Sequence, residues 1–128
     1  MKEAALDKLQ EWSKAGHRTV QADTLLMLAA DYPEVVALSA DLTPTARLVE
    51  FKETYPDRFF DVGIAEQNLI DFSVGLALEG LRPFAVGLAA MVPMRPAEQM
   101  RAAAGYMNAN VTVIGIEAGV RFGPLGNT

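Results

Sequence analysis

The stretch FFDVGIAEQNLIDFSVGLALEG, residues 59–80, decides the fold. Its first part carries Phe59, Phe60, Val62 and Ile64 and predicts a buried strand over 59–64, since aromatic and β-branched side chains suit a pleated, packed surface. An acid, Glu66, follows at once. The apolar run after Asn68 predicts a helix over 66–79, closed by Gly80. Residues 83–88 then predict another strand. Strand, helix and strand in immediate succession make a βαβ unit, the connection that parallel strands require. The oddity is the carboxylate at the handover from strand to helix.

The same alternation extends in both directions. Upstream, Ala5, Leu6, Leu9 and Trp12 predict a helix over 3–15, within an N-terminal helical segment 1–18. Leu25, Leu26, Leu28, Ala29 and Ala30 predict a second over 19–31, ended by Tyr32-Pro33. EVVALSA, residues 34–40, reads as a buried strand, and Asp41-Leu42-Thr43-Pro44 as the loop at its carboxyl end. A short helix over 46–54 and a turn at Tyr55-Pro56-Asp57 lead into the opening stretch. Downstream, Pro96 and Glu98 suit the start of a helix over 95–107, with Met100, Ala103, Ala104 and Met107 as its inner stripe. VTVIGI, residues 111–116, is a β-branched strand, and residues 117–128 a glycine-rich loop. The reading is α/β: a parallel sheet with helices on both faces. It forms one domain over 1–128, and the closing loop, followed by no further element, makes that domain incomplete at its C-terminus. Sheets of this kind bind ligands beyond the carboxyl ends of their strands, where Asp41, Glu66, Met91 and the 117–128 loop fall.

Composition narrows the chemistry. The chain has 128 residues, no cysteine, a single histidine and a net charge of -5. Disulfides, thiolate catalysis and cysteine-bound metals are excluded. His17 alone builds neither a multi-histidine zinc site nor a histidine relay, so no metal ligands are assigned. The charge gives no basic footprint for nucleic acid. The N-terminus lacks the apolar core of a signal peptide. The apolar region 72–94 is interrupted by Glu79, Arg82 and Pro83, which does not suit a membrane span. The expectation is a soluble, cytoplasmic protein.

Spacing leaves each candidate site with two readings. Glu66 is either a helix-start acid, favoured by the helix dipole, or a carboxyl group at a ligand edge with Ile64, Leu69 and Ile70 around it. Asp41 is either a loop acid opening a proline turn or a polar group at that same edge. Leu88, Met91 and Met94, three apart, are either core or the wall of an apolar pocket in which methionine adapts to a flat ring. The terminal GVRFGPLGNT lacks the Lys-Ser/Thr ending of a phosphate-binding P-loop.

Taken together, YPDRFFDVGIAEQN and GLALEGLRPFAV resemble the pyrimidine-binding domain of transketolase and 1-deoxyxylulose-5-phosphate synthase. VVALSADL resembles that family's strand and Asp-Leu loop, RPAEQMR its helix start, and NVTVIGIEAGVRFGPLGNT its strand and glycine-rich loop. The likeness runs from about Thr19 to the last residue. The β chains of the pyruvate dehydrogenase type are cousins in fold, but the wording Val-Gly-Ile-Ala-Glu-Gln favours the transketolase side.

The resemblance implies a role for the odd carboxylate. In that family the glutamate hydrogen-bonds a ring nitrogen of the aminopyrimidine of thiamine diphosphate, which lets the neighbouring amino group remove a proton from the thiazolium ring. The matching residue is Glu66, the implied catalytic group. Asp41, Leu42, Ile64, Leu88, Met91 and Met94 match cofactor-binding positions. The family places phenylalanine at the first two places of that last trio, and Leu88 and Met91 stand there instead. An aromatic pair adds about 1 kcal/mol, of which methionine against a ring recovers part. The family's Gly-Asp-Gly and Asn ligands for magnesium and diphosphate have no match in residues 1–128, nor does the histidine that follows its glycine-rich loop. The implied function is therefore a half-site of a split, transketolase-like transferase that moves two-carbon ketol units between sugar phosphates or related ketoses. Magnesium and diphosphate would be held by a partner subunit in a homo- or hetero-oligomer, and the chain alone would be inactive. The alternative is a non-catalytic dimerisation or interaction module that keeps the fold and not the chemistry.

Overall fold

The computed structural model describes residues 2–119. Helices α1 (Lys2–Ala15) and α2 (His17–Asp31) precede strand β1 (Val35–Ser39). Helix α3 (Val49–Thr54) and a 3-10 turn (Pro56–Arg58) lead to β2 (Phe59–Asp61), α4 (Glu66–Leu78) and β3 (Arg82–Leu88). A short helix α5 (Ala97–Gln99) runs on as a π-helix (Met100–Tyr106) into β4 (Thr112–Ile116). The four strands form one sheet in the order β2-β1-β3-β4, and every neighbouring pair is parallel. Among the described residues no helix is long and apolar enough to cross a membrane.

The expected parallel sheet with helices on both faces is what the chain forms. All five residues of β1 are buried, as a central strand covered on both sides requires. Its side chains alternate. Val35 and Ala37 join a cluster with Leu25, Ala29 and Phe51, from α2 and α3. Val36 and Leu38 join another with Leu69, Ile70 and Val74 of α4. One sheet therefore carries two cores, and each depends on helices that the apolar spacing had predicted.

Two elements depart from the sequence reading. The strand expected over 59–64 ends at Asp61. Gly63 turns with φ 72, and Ile64 lies 74% exposed rather than buried. The cause is Asp61, whose carboxylate accepts the Gly63 N–H at 3.0 Å and folds the chain back on itself. The helix expected over 95–107 is mostly π-wound. Its wider turn changes the phase of the stripe, so Met100 and Ala103 pack on the sheet while Met107 is 52% exposed. Ala104 falls among the side chains outside the description.

The route of the chain fixes where a ligand can sit. It passes from β1 outward to β2, then returns across β1 to place β3 on its other side. The crevice beyond the carboxyl ends of β1 and β3 is the switch point of such a sheet.

Arg58 joins the end of α2 to the entry of β2. Its Nη1 donates to the carbonyls of Ala29 at 3.0 Å, and of Tyr32 and Pro33 at 3.3 Å. Its guanidinium lies 3.9 Å from the Tyr55 ring centroid. A cation on the last carbonyls of a helix is favoured both by hydrogen bonding and by the dipole. Arg58→Ala should lower the unfolding free energy by about 1–3 kcal/mol in urea titration, and Arg58→Lys should recover only part, since an ammonium neither stacks nor forks.

Candidate functional site

A cleft of about 220 Å3 opens at the switch point, lined by Ala40, Asp41, Leu42, Ile64, Glu66, Leu88, Met91 and Arg95. It is smaller than the roughly 300–1,000 Å3 of pockets that enclose whole small molecules. It suits one ring of a larger ligand. Three loops build it: the one after β1, the one between β2 and α4, and the one after β3.

The loop after β1 is held by hydrogen bonds to two strand ends. Ser39 is fully buried, and its Oγ accepts the Leu42 N–H at 2.9 Å. Asp41 adopts φ 60, a left-handed conformation that aspartate tolerates better than most residues. Its N–H donates to Oδ1 of Asp61 at 2.9 Å, and Thr43 Oγ1 donates to Oδ2 of the same carboxylate at 2.7 Å. Ser39 and Asp61 are register partners on β1 and β2. Asp61 thus ties the β1 loop to the Gly63 turn that delivers Glu66. Burial works to raise its pKa. Hydrogen bonds from Thr43, Asp41 and Gly63, with the charge of Lys52, outweigh that effect and hold the carboxyl below its usual 3.8.

Glu66 is the first residue of α4, so the helix dipole favours its charge. It is also buried, at 8% exposure, which no simple helix-start acid needs. Leu69 and Ile70, expected beside it, turn into the sheet core, and Ile64 is largely exposed. The partner that meets the carboxylate is instead a cation: Nη1 of Arg95 lies 3.1 Å from Oε1 and 2.9 Å from Oε2.

Residues 89–95 bring Arg95 and Met91 to the cleft. They wind in successive turns, with the N–H of Val92 donating to Leu88 O at 2.9 Å and that of Arg95 to Met91 O at 2.9 Å. Two paired glycines let these turns sit down on the sheet. Gly87 and Gly115 are register partners on β3 and β4. A Cβ on Gly87 would collide with Cγ2 of the buried Val92, and one on Gly115 would lie 3.0 Å from the Ala89 Cα. Glycine inside a strand marks such a close approach.

Behind the β1 loop lies a second buried carboxylate. Glu117, just after β4, is 4% exposed and forms an ion pair with Arg18 Nε at 2.6 Å. Arg18 Nη1 also donates to the Thr45 carbonyl at 3.0 Å. The start of α2, the β1 loop and the end of β4 are joined through this one side chain.

Six of the seven residues singled out in the sequence meet at the cleft: Asp41, Leu42, Ile64, Glu66, Leu88 and Met91. Met94 stands apart, 77% exposed, because the turns after Met91 carry it away from the lining. Residues 120–128 of the glycine-rich loop lie outside the described residues. Sequence reasoning passed over Asp61, Arg95 and the glycine pair. Asp61-x-Gly63 is a local turn signal, and an isolated glycine in each of two strands hints at close approach. Arg95 carried no local signal, since its partner is 29 residues away.

The comparisons with known proteins agree with this architecture. A family model described as "Transketolase, pyrimidine binding domain" matches residues 13–128. The chain is 37% identical, over 83% of its length, to a subunit of the apulose-4-phosphate transketolase of Phocaeicola vulgatus, and covers 34% of that protein. It is 48% identical over 59 residues, 46% of its length, to a 1-deoxy-D-xylulose-5-phosphate synthase of Desulfotalea psychrophila, covering 9% of that protein. The solved structure of a split-gene transketolase, an inactive beta4 tetramer, superposes with a TM-score of 0.67 at 35% identity. That match covers 73% of this chain and 31% of the other. The chain therefore spans about a third of the length of the transketolase subunit it matches.

Asp61 makes stability depend on pH in a defined direction. A carboxyl whose folded pKa is lowered stabilises the fold above its unfolded value and stops doing so as pH falls through the folded one. Melting temperature should therefore drop as pH falls below the ordinary 3.8. Asp61→Asn should melt lower at neutral pH and show a flatter slope in that acid range, as followed by circular dichroism.

Proposed function

The chain belongs to the transketolase pyrimidine-binding domain family, and on that premise we propose that it is the pyrimidine half-site of a split, thiamine-diphosphate-dependent transketolase. The reaction would be transfer of a two-carbon ketol unit between sugar phosphates or related ketoses in the cytoplasm. The observation that carries the reading is Glu66: a buried carboxylate at the switch-point cleft, walled on other sides by apolar side chains.

The residues fit one ring of such a cofactor. Leu88, Met91 and Ile64 offer apolar surface to a flat heterocycle, with methionine the adaptable member. Glu66 would hydrogen-bond a ring nitrogen and hold or accept a proton there. The Asp41 and Leu42 loop, fixed through Ser39 and Asp61, would close the opposite side and keep water from the ring. When bound, thiamine diphosphate supplies the carbon nucleophile and electron sink for carbon–carbon cleavage beside a carbonyl. The chain's own task is to bind, orient and exchange a proton at Oε of Glu66.

The same features argue for a partner. The cleft is lined mainly by apolar side chains and two carboxylates, which suits a ring better than a diphosphate. Magnesium and diphosphate would be held by a second transketolase-like subunit, with the site between the two.

The test is reconstitution with the partner subunit. The chain alone should transfer no ketol unit, and the pair should. In the pair, Glu66→Ala should lower the rate by about 10²–10⁴-fold, the range for losing a positioned proton-transfer group, while the two subunits still co-elute. Unchanged activity would sink the assignment of Glu66. Absence of thiamine diphosphate binding by the pair would favour a non-catalytic interaction module instead.

A further inference from the structure

Arg95 raises a question that the proposed chemistry does not answer. Its Nη1 sits astride both oxygens of Glu66, at 2.9 and 3.1 Å. Both residues line the cleft, and the guanidinium contacts both of the oxygens that a ring seeking the carboxylate would use. The pair is lopsided: the side chain of Glu66 is 9% exposed and that of Arg95 is 48%. The buried partner needs the contact far more than the exposed one does, because an unpaired charge is costly away from water and cheap in it.

We propose that the Arg95–Glu66 ion pair is a latch, closed over the Glu66 carboxylate when no cofactor is bound and opened by the cofactor's ring. The proposal rests on the reading of Glu66 given above. In the empty state the latch keeps Glu66 paired and fixed at the first turn of α4. On binding, a ring nitrogen takes over the carboxylate and Arg95 moves outward to the solvent it already half occupies. Its backbone need not move. The N–H of Arg95 is held by Met91 O at 2.9 Å in the turn beneath, and the long side chain supplies the reach. Arg95 is thus a positioning residue that works through Glu66 and competes with the ligand for it.

Competition gives the latch a signature that a plain structural salt bridge lacks. Removing a structural bridge weakens the fold and the site together. Removing a latch weakens the empty chain and tightens ligand binding, since apparent affinity scales with the fraction of open sites. Arg95→Met keeps the aliphatic stem and discards the charge. In the empty chain it should lower the melting temperature by about 4 °C or more, and it should lower it little in a Glu66→Gln background, where the charge it pairs with is gone. In the complex with the partner subunit, Arg95→Met should bind thiamine diphosphate with magnesium about tenfold more tightly in calorimetry, the gain expected if the latch is closed nine-tenths of the time. Arg95→Lys should fall between wild type and Arg95→Met.

Absence of coupling between the two positions in the empty chain overturns the latch. So does cofactor binding that is unchanged or weaker in Arg95→Met when the wild-type complex binds well, and the reading of Glu66 then stands. If the wild-type complex and all variants bind no cofactor while the two positions still couple, the reading of the site fails, and the opening step with it. Should Arg95→Met not fold, the Glu66→Gln and Arg95→Lys comparison carries the same test from the other side of the pair.

Discussion

A strand buried on both faces has no place for a charged side chain except beyond its ends. β1 is the extreme case: five residues, all buried, with Ser39 the one polar member and its hydroxyl already engaged by the Leu42 N–H. The other strands run parallel to it in the same sheet, so their carboxyl ends gather at one edge. Asp41, Asp61, Glu66 and Glu117 all lie there, each within a few residues of a strand end. The chemistry of the molecule is concentrated at that edge because the interior of the sheet excludes it.

Gathering carboxylates in one place brings repulsion and desolvation, and the structure handles each acid differently. Asp61 accepts two backbone N–H groups and a hydroxyl and serves as a joint between loops. Glu117 is paired with Arg18, which also grips the β1 loop. Glu66 is paired with Arg95, from a turn on the far side of the cleft. The contacts of the first two tie one loop to another, Asp61 at the surface and Glu117 buried. The third is buried at the cleft and meets a half-exposed partner.

The sequence was most legible where a single period or turn set the outcome. The apolar spacing of α2 and α4, the β-branched runs of β1 and β4 and the alternation of strand and helix led to the right class of sheet. It was least legible where a turn or an irregular winding overrode the local apolar pattern. Phe59 to Ile64 has the composition of a six-residue strand, yet Asp61 and Gly63 stop the ladder at three residues. The segment before β4 has helical spacing, yet a π winding turns Met107 outward. Leu88, Met91 and Met94 look equivalent at three-residue spacing, but only the first two reach the cleft.

By itself the sequence determined the βαβ succession, the two-faced burial of β1 and the presence of a carboxylate at the strand-to-helix handover, because hydrophobic period and turn residues act within a few positions. The wording around Glu66 also carried the family resemblance. Only the tertiary structure decided what stands opposite that carboxylate. Arg95 is 29 residues away in the chain, and it arrives because two neighbouring strands both carry glycine at the level where the 89–95 turn descends. No local rule connects those positions, since they meet only after the sheet has placed β3 beside β4 and the turn has settled on the space that two missing side chains leave open.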